Sequence, residues 1–266
     1  MTDDPSPTAF LLGAPTASGK SAVALRLAER FGMEIVSADA MQVYRGLDVG
    51  TATPSAADRA RVPHHGIDLV DPDQPFSVAD WVAVAEGAIL DAHARGVACL
   101  VVGGTGFYLH ALAEGLPTTP PADPAAQAPL WARLESEGVE ALEAEVAAVA
   151  PEDARRAQRN PRRLVRTLEV LRRTGRPPSS FPPRRPRSRV DRTWLLPEMA
   201  ALEPRIEARS AAMLAGGLIE EAAALDPAAL ATGVLATVVM SVVAGLAASG
   251  RALAVRPLAV LRRADE

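Results

Sequence analysis

Cysteine occurs once among 266 residues, at Cys99 inside the apolar run ACLVV. One thiol builds neither a disulfide framework nor a cysteine metal site, and it suits a reducing compartment, the cytoplasm. Aromatic residues make up only 4% of the chain, so the core has to be assembled from alanine, valine and leucine, which a hydrophobic content of 48% supplies. The N-terminus, MTDDPSP, carries no basic region ahead of an apolar stretch and does not read as a signal peptide. No uninterrupted apolar run reaches the ~20 residues of a membrane span, and the nearest, 228–249, is diluted by Gly, Ser and Thr. A soluble protein with no membrane partner is expected. Lysine is as scarce as cysteine: Lys20 is the single one, and every other basic residue is arginine.

What is present has a clear order. Short apolar, β-branched runs recur at Thr8–Gly13, Glu34–Ser37, Gly66–Val70, Ala98–Gly103 and Arg192–Leu196. Helical patterns lie between them over Gly19–Phe31, Ser77–Arg95 and Leu130–Val149, and Ser77 with Asp80 has the spacing of a helix start. Strand and helix alternating in this way predict an α/β fold, a parallel sheet covered by helices on both faces. A Pro-rich connector, PTTPPADPAA, opens a change of composition at Pro117. Within Arg155–Arg192 there are fourteen arginines against Glu169 and Asp191, a net +12 over thirty-eight residues. Because another strand pattern follows, residues 117–190 read as a mainly helical, Arg-rich insertion into a core domain made of 1–116 and 191–266. Pro177–Pro186 is too rich in proline to be helix. An amphipathic pattern returns over Leu202–Leu225.

The first strand runs into Ala14, Pro15, Thr16, Ala17, Ser18, Gly19, Lys20 and Ser21 and then a helix. That is the setting of a P-loop. Backbone N–H groups and the helix N-terminus cradle a di- or triphosphate, Lys20 bridges its oxygens, and the Ser21 hydroxyl helps hold Mg²⁺. Ala14 replaces the usual first glycine, which is tolerable only where its backbone angles suit a residue with a Cβ. A sequence that otherwise uses arginine keeps a compact ammonium at this one position, where a planar guanidinium would not fit in the same way. The sheet is therefore expected to be P-loop NTPase-like.

The second strand ends at Asp39, and residues just past a strand's C-terminal end line the ligand crevice of such a sheet. Asp39 is a metal ligand, a general base, or the cap of the next turn; the residues alone leave all three open. Adjacent His64 and His65 point apart on a strand and read as hydrogen-bonding residues more than as a metal pair. Trp81 and Trp131 read as packing residues, and Tyr108 either stacks on a base or fills the core.

Several segments together resemble the bacterial tRNA dimethylallyltransferase (IPP transferase) family. They are GAPTASGKS at 13–21, SADAMQVYRGLDVGTATP at 37–54, VPHHGIDLVDP at 62–72, FSVADW at 76–81, VVGGTGFYLHALAEGL at 101–116, NPRRLVRTLEV at 160–170 and RIEARSAAMLAGGLIEE at 205–221. The resemblance implies that the P-loop holds the diphosphate of dimethylallyl diphosphate, with Mg²⁺ as cofactor. It implies that the dimethylallyl group passes to the exocyclic amine of the adenosine 3′-adjacent to the anticodon in tRNA. Asp39 would be the general base, Thr105 would sit near the reacting groups, and Arg209, or Arg205 one turn earlier, would neutralise the departing diphosphate. The anticodon loop would be met by Asp39, Ala40, Met41, Gln42 and Thr105, with Gln127 and the stretch Arg162, Arg163, Leu164, Val165 and Arg166. A monomer is implied. The +12 segment suits a phosphate backbone, or else is a solvated face.

Residues 228–266 lack the family's closing segments and hold no lysine, tyrosine or tryptophan, as a shift of reading frame near 226–235 would produce. The competing readings are a P-loop small-molecule kinase using ATP, a prenyltransferase acting on free adenine nucleotides, and an inactive RNA-binding remnant.

Overall fold

The computed structural model describes residues 7–195 and 197–225; the 228–266 tail lies outside the described residues. Among these, five parallel strands form one sheet in the order β3-β2-β4-β1-β5. The strands are β1 (Thr8–Gly13), β2 (Glu34–Ala38), β3 (His64–His65), β4 (Cys99–Gly103) and β5 (Arg189–Trp194). β2 and β4 are buried at every residue, so neither shows the alternation of a half-exposed strand, although β2 buries Glu34 and Ser37; β5 at the edge is largely exposed. The register sets Gly13 beside Gly103 and Ala38 beside Gly103. The C-terminal ends of β1, β4 and β2 are therefore level, and the three segments that leave them emerge together. Gly103 allows the strands to close up there: a Cβ on it would lie 2.1 Å from the Ala38 carbonyl oxygen.

Helix α1 (Lys20–Phe31) packs Ala24 and Ala28 against the sheet and stops at Gly32, whose φ of 61° favours glycine. The short α2 (Asp48–Thr51) and α3 (Ala56–Arg61) follow β2. Helix α4 (Val78–Ala94) starts where the sequence predicts, with a reciprocal cap: the Ser77 N–H donates to Asp80 and the Asp80 N–H to Ser77 Oγ. Its Trp81 is fully buried, donates its indole N–H to the Ser37 carbonyl at 2.8 Å and stacks on Tyr108 of α5 (Gly106–Glu114) with ring centroids 4.6 Å apart. Tyr108 thus fills the core, and burial pushes its phenol up to about 12.

Three expectations are corrected. Gly66–Val70 is not a strand; β3 is only His64–His65, because positive φ at Gly66 (78°) and Asp68 (54°) turns the chain away, leaving Val70 one bridge to Tyr44. Leu130–Val149 is two helices, α6 (Pro124–Glu137) and α7 (Val139–Val149), separated at Gly138 with φ 83°. Leu202–Leu225 is also two, α10 (Met199–Ala215) and α11 (Leu218–Ala223), separated at Gly216 and Gly217.

The described chain divides into two compact units, one of residues up to Ala113 together with those from Arg187 onward, the other of Glu114–Pro186. The second unit is helical: α6, α7, α8 (Pro151–Ala157) and α9 (Pro161–Thr174) surround a core of Leu130, Leu142, Val146, Leu164, Val165 and Leu168, against which Trp131 packs. Only one short 3₁₀ turn, Pro178–Ser180, interrupts the Pro-rich segment that follows.

His65 and Arg95 converge on the buried Glu34 at the start of β2. Arg95 donates to both carboxylate oxygens, at 2.6 and 3.0 Å, and His65 Nε2 lies 2.7 Å away. Hydrogen bonding from Arg95, ahead of the opposing effect of burial, holds the Glu34 carboxyl at about 2. A carboxylate depressed on folding stabilises the protein above its ordinary titration range and loses that contribution as pH falls towards the folded value. The acid limb of stability between pH 4.5 and about 2 is therefore expected to flatten in Glu34→Gln, by up to about 3 kcal/mol, in urea titrations at stepped pH.

Candidate functional site

The segment after β1 wraps into the N-terminus of α1. Gly19 precedes the helix with φ 85° and no side chain caps it, so the first-turn N–H groups face the cleft. Ala17 also takes positive φ, 60°, whereas Ala14 does not. Ala14 is buried and its N–H donates to the Gly103 carbonyl at 3.3 Å, so it stands in for a glycine without backbone strain. Ser18 Oγ accepts the Lys20 N–H at 3.4 Å.

One cleft gathers the outputs of the level strand ends. Thr16, Lys20 and Ser21 line it from the loop after β1, Ser37, Asp39 and Gln42 from β2 and its exit, and Val102 and Gly103 from β4. Thr51 and Ala52 close one side, and Arg209 reaches in from α10. Burial, opposed by the Asp39 charge and assisted by Arg209, holds the Lys20 ammonium below its ordinary value. Two cations and one carboxylate thus face a crevice framed by a helix N-terminus, a setting suited to a polyanion.

Asp39 does two things at once: it lines the cleft, and its Oδ1 accepts the Met41 N–H at 2.9 Å, so the capping and chemical readings coexist. Thr105 braces this loop from β4, its Oγ1 accepting the Ala40 N–H at 3.1 Å while its own N–H donates to the Ala38 carbonyl at 3.2 Å. Gln42 is fixed at both ends of its amide: Oε1 accepts from Ser37 Oγ at 2.7 Å, and Nε2 lies 3.3 and 3.4 Å from the Thr51 and Ala52 carbonyls. Of the two candidate arginines, Arg209 lines the cleft; Arg205, like Thr105, Ala40 and Met41, does not. Sequence reasoning did not single out Ser37, Thr51, Ala52 or Val102. The first three lie inside the quoted 37–54 segment, but nothing local in it signals that 48–52 folds back across the cleft.

In the helical unit, Leu164 and Val165 are fully buried in the core. Their side chains pack inward, so a contact of these two residues with RNA would run through the backbone, while the amphipathic α9 turns Arg162 and Arg163 outward. Arg163 donates to the Arg156 carbonyl at 3.0 Å. Gln127 and Arg166 both donate to the buried Glu169, at 2.6 and 2.7 Å. Burial would raise the Glu169 carboxyl, but these bonds, with those from the Asp123 N–H and Arg173, outweigh it and hold it below the ordinary range.

A phosphate-binding loop at the C-terminal edge of a parallel sheet, with a carboxylate and an arginine opposite, defines a P-loop protein that handles a phosphorylated substrate. Comparison with known proteins narrows this. A family model described as IPP transferase matches residues 42–245, and one described as isopentenyl transferase matches 7–62. A tRNA dimethylallyltransferase of Thermus thermophilus is 55% identical over 215 residues, covering 81% of this chain and 71% of the relative. One from Deinococcus radiodurans is 52% identical over 217 residues, covering 82% and 71%. The crystal structure of a tRNA isopentenylpyrophosphate transferase from Bacillus halodurans superposes with a TM-score of 0.54 at 36% identity, over 81% of this chain and 69% of that one. A eukaryotic dimethylallyltransferase acting on tRNA gives 0.65 at 26% identity, over 81% of this chain and 55% of that one. The chain belongs to the IPP transferase family.

Proposed function

We infer that this chain is a tRNA dimethylallyltransferase: it moves the dimethylallyl group of dimethylallyl diphosphate onto the exocyclic amine of an adenosine in tRNA, the one 3′-adjacent to the anticodon, giving isopentenyladenosine. The observation that carries this reading is the convergence of Lys20, Asp39 and Arg209 on one cleft.

The backbone N–H groups within 16–21 and the Lys20 ammonium bind the diphosphate, and Arg209 meets the charge that grows on it as the C–O bond breaks. The adenine amine forms the new C–N bond at the same carbon, and Asp39 takes the proton the nitrogen gives up. An aromatic amine is a weak nucleophile, so a base fixed in place by the Met41 N–H serves it better than a mobile one. The adenosine has to leave the stacked anticodon loop to reach the cleft. Ser21 offers a hydroxyl oxygen of the kind Mg²⁺ prefers, and the ion when bound would neutralise diphosphate charge. Thr105 supports the Asp39 loop from behind.

The Arg-rich stretch 155–192 and Gln127 supply the tRNA footprint in this reading, with Arg162 and Arg163 as its exposed members. Such a footprint makes tRNA affinity fall at least about tenfold between 50 and 200 mM salt, measurable by filter binding. Among the described residues no helix is long and apolar enough to cross a membrane. A reaction on tRNA puts the protein in the cytoplasm in this reading, as a monomer.

The test supplies labelled dimethylallyl diphosphate with unmodified tRNA and, separately, γ-labelled ATP with small-molecule acceptors. Label on tRNA and none on the acceptors supports the proposal. Phosphate transfer from ATP without prenylation of tRNA would replace it with the kinase reading.

A further inference from the structure

Helix α2 is four residues long, and Leu47 before it provides no side-chain cap. A helix this short cannot hold its own ends, since its first N–H groups have no partner inside it. The partner comes from far along the chain. Glu221 in α11 accepts the Val49 N–H through Oε2 at 2.6 Å and the Gly50 N–H through Oε1 at 2.9 Å. A carboxylate straddling two successive N–H groups at a helix N-terminus is favoured both by the hydrogen bonds and by the helix dipole. Beside it, the α10–α11 turn abuts α2: a Cβ on Gly216 would lie 3.7 Å from Val49 Cγ1.

Both partners of this clasp lead into the cleft. On one side α2 continues into Thr51 and Ala52, whose carbonyls lie within hydrogen-bonding distance of Gln42 Nε2 and which themselves line the site. On the other, α11 is joined through Gly216 and Gly217 to α10, which carries Arg209. We propose that Glu221 is a positioning residue for prenyl transfer: by clasping α2 it fixes Arg209 on one wall against Thr51, Ala52 and Gln42 on the other. Glu221 touches no substrate and acts through these groups. The proposal rests on the functional reading above.

The test combines Glu221→Gln and Glu221→Ala with Arg209→Ala in a double-mutant cycle, reading kcat/KM for dimethylallyl diphosphate at saturating tRNA and the affinity for inorganic pyrophosphate. In Glu221→Gln the new amide N–H₂ faces one of the two backbone donors, so at most one bond survives. Each Glu221 variant is expected to lose tenfold or more in kcat/KM and in pyrophosphate affinity, with tRNA affinity within twofold of wild type. Added to Arg209→Ala, Glu221→Gln should bring little further loss, because the arginine it positions is already gone. Wild-type values in both variants, or losses that multiply with that of Arg209→Ala, would overturn the proposal. A wild-type chain that binds pyrophosphate without prenylating tRNA would sink the functional reading alone, and the cycle then runs on pyrophosphate affinity. No pyrophosphate binding by the wild type would sink both.

Discussion

Asp39→Asn is expected to reduce kcat for prenyl transfer about 10²- to 10⁴-fold, the range for loss of a positioned base. Asparagine is the informative replacement. Its carbonyl oxygen can still accept the Met41 N–H that Asp39 Oδ1 accepts, so the turn after β2 is kept and only the proton-accepting charge is removed. Asp39→Ala removes both and should add instability to the same kinetic loss. The Asp39 charge also opposes the depression of the Lys20 ammonium. In Asp39→Asn that ammonium therefore titrates lower still, and pyrophosphate affinity should fall at a lower pH than in the wild type as the pH is raised. Single-turnover assays at several pH values separate the two effects, because the base acts on the chemical step and the ammonium on binding.

Lys20→Met should lower affinity for pyrophosphate or dimethylallyl diphosphate by about 10²-fold or more, yet leave the ligand-free protein no less stable than the wild type. The sign follows from burial, which keeps the folded-state value below the ordinary 10.5. Between that lowered value and 10.5 the unfolded chain binds more protons than the folded one, so stability rises with pH through this window and the charged ammonium opposes folding below it. Methionine keeps the length of the side chain and removes that penalty. Lys20→Arg is expected to lose affinity too, since a planar fork replaces a compact charge. Because Lys20 is the only lysine in the sequence, reductive ¹³C-methylation places a single side-chain label there, and NMR then follows its titration directly.

Much of this site was legible in the sequence because its parts are local. β1, the phosphate loop and α1 follow one another without interruption, and the Ser77–Asp80 cap announces α4 within four residues. The strands of the sheet interior declare themselves as short runs dominated by apolar and β-branched residues. Local signals failed where a glycine decided between two outcomes: positive φ at Gly66 turns the chain at the first residue of a run that reads as strand, and Gly138 and Gly217 divide patterns that read as continuous. At 162–166 the helix period sends the members of one motif to opposite sides, Leu164 and Val165 into the core and Arg162 and Arg163 outward. The clasp of Glu221 on α2 has no sequence signature, because it joins residues more than 170 positions apart through backbone groups that carry no residue identity. Arg209 and Arg205 could not be separated by spacing alone; in the structure it is Arg209 that lines the cleft.

The most direct measurement is nucleoside analysis of unmodified tRNA after incubation with the purified full chain, dimethylallyl diphosphate and Mg²⁺, run beside Asp39→Asn. Isopentenyladenosine at the position 3′ to the anticodon with the wild type, and its near absence with the variant, is the predicted result. Equal product from both proteins, or product from neither although the wild type binds tRNA and pyrophosphate, would contradict the account.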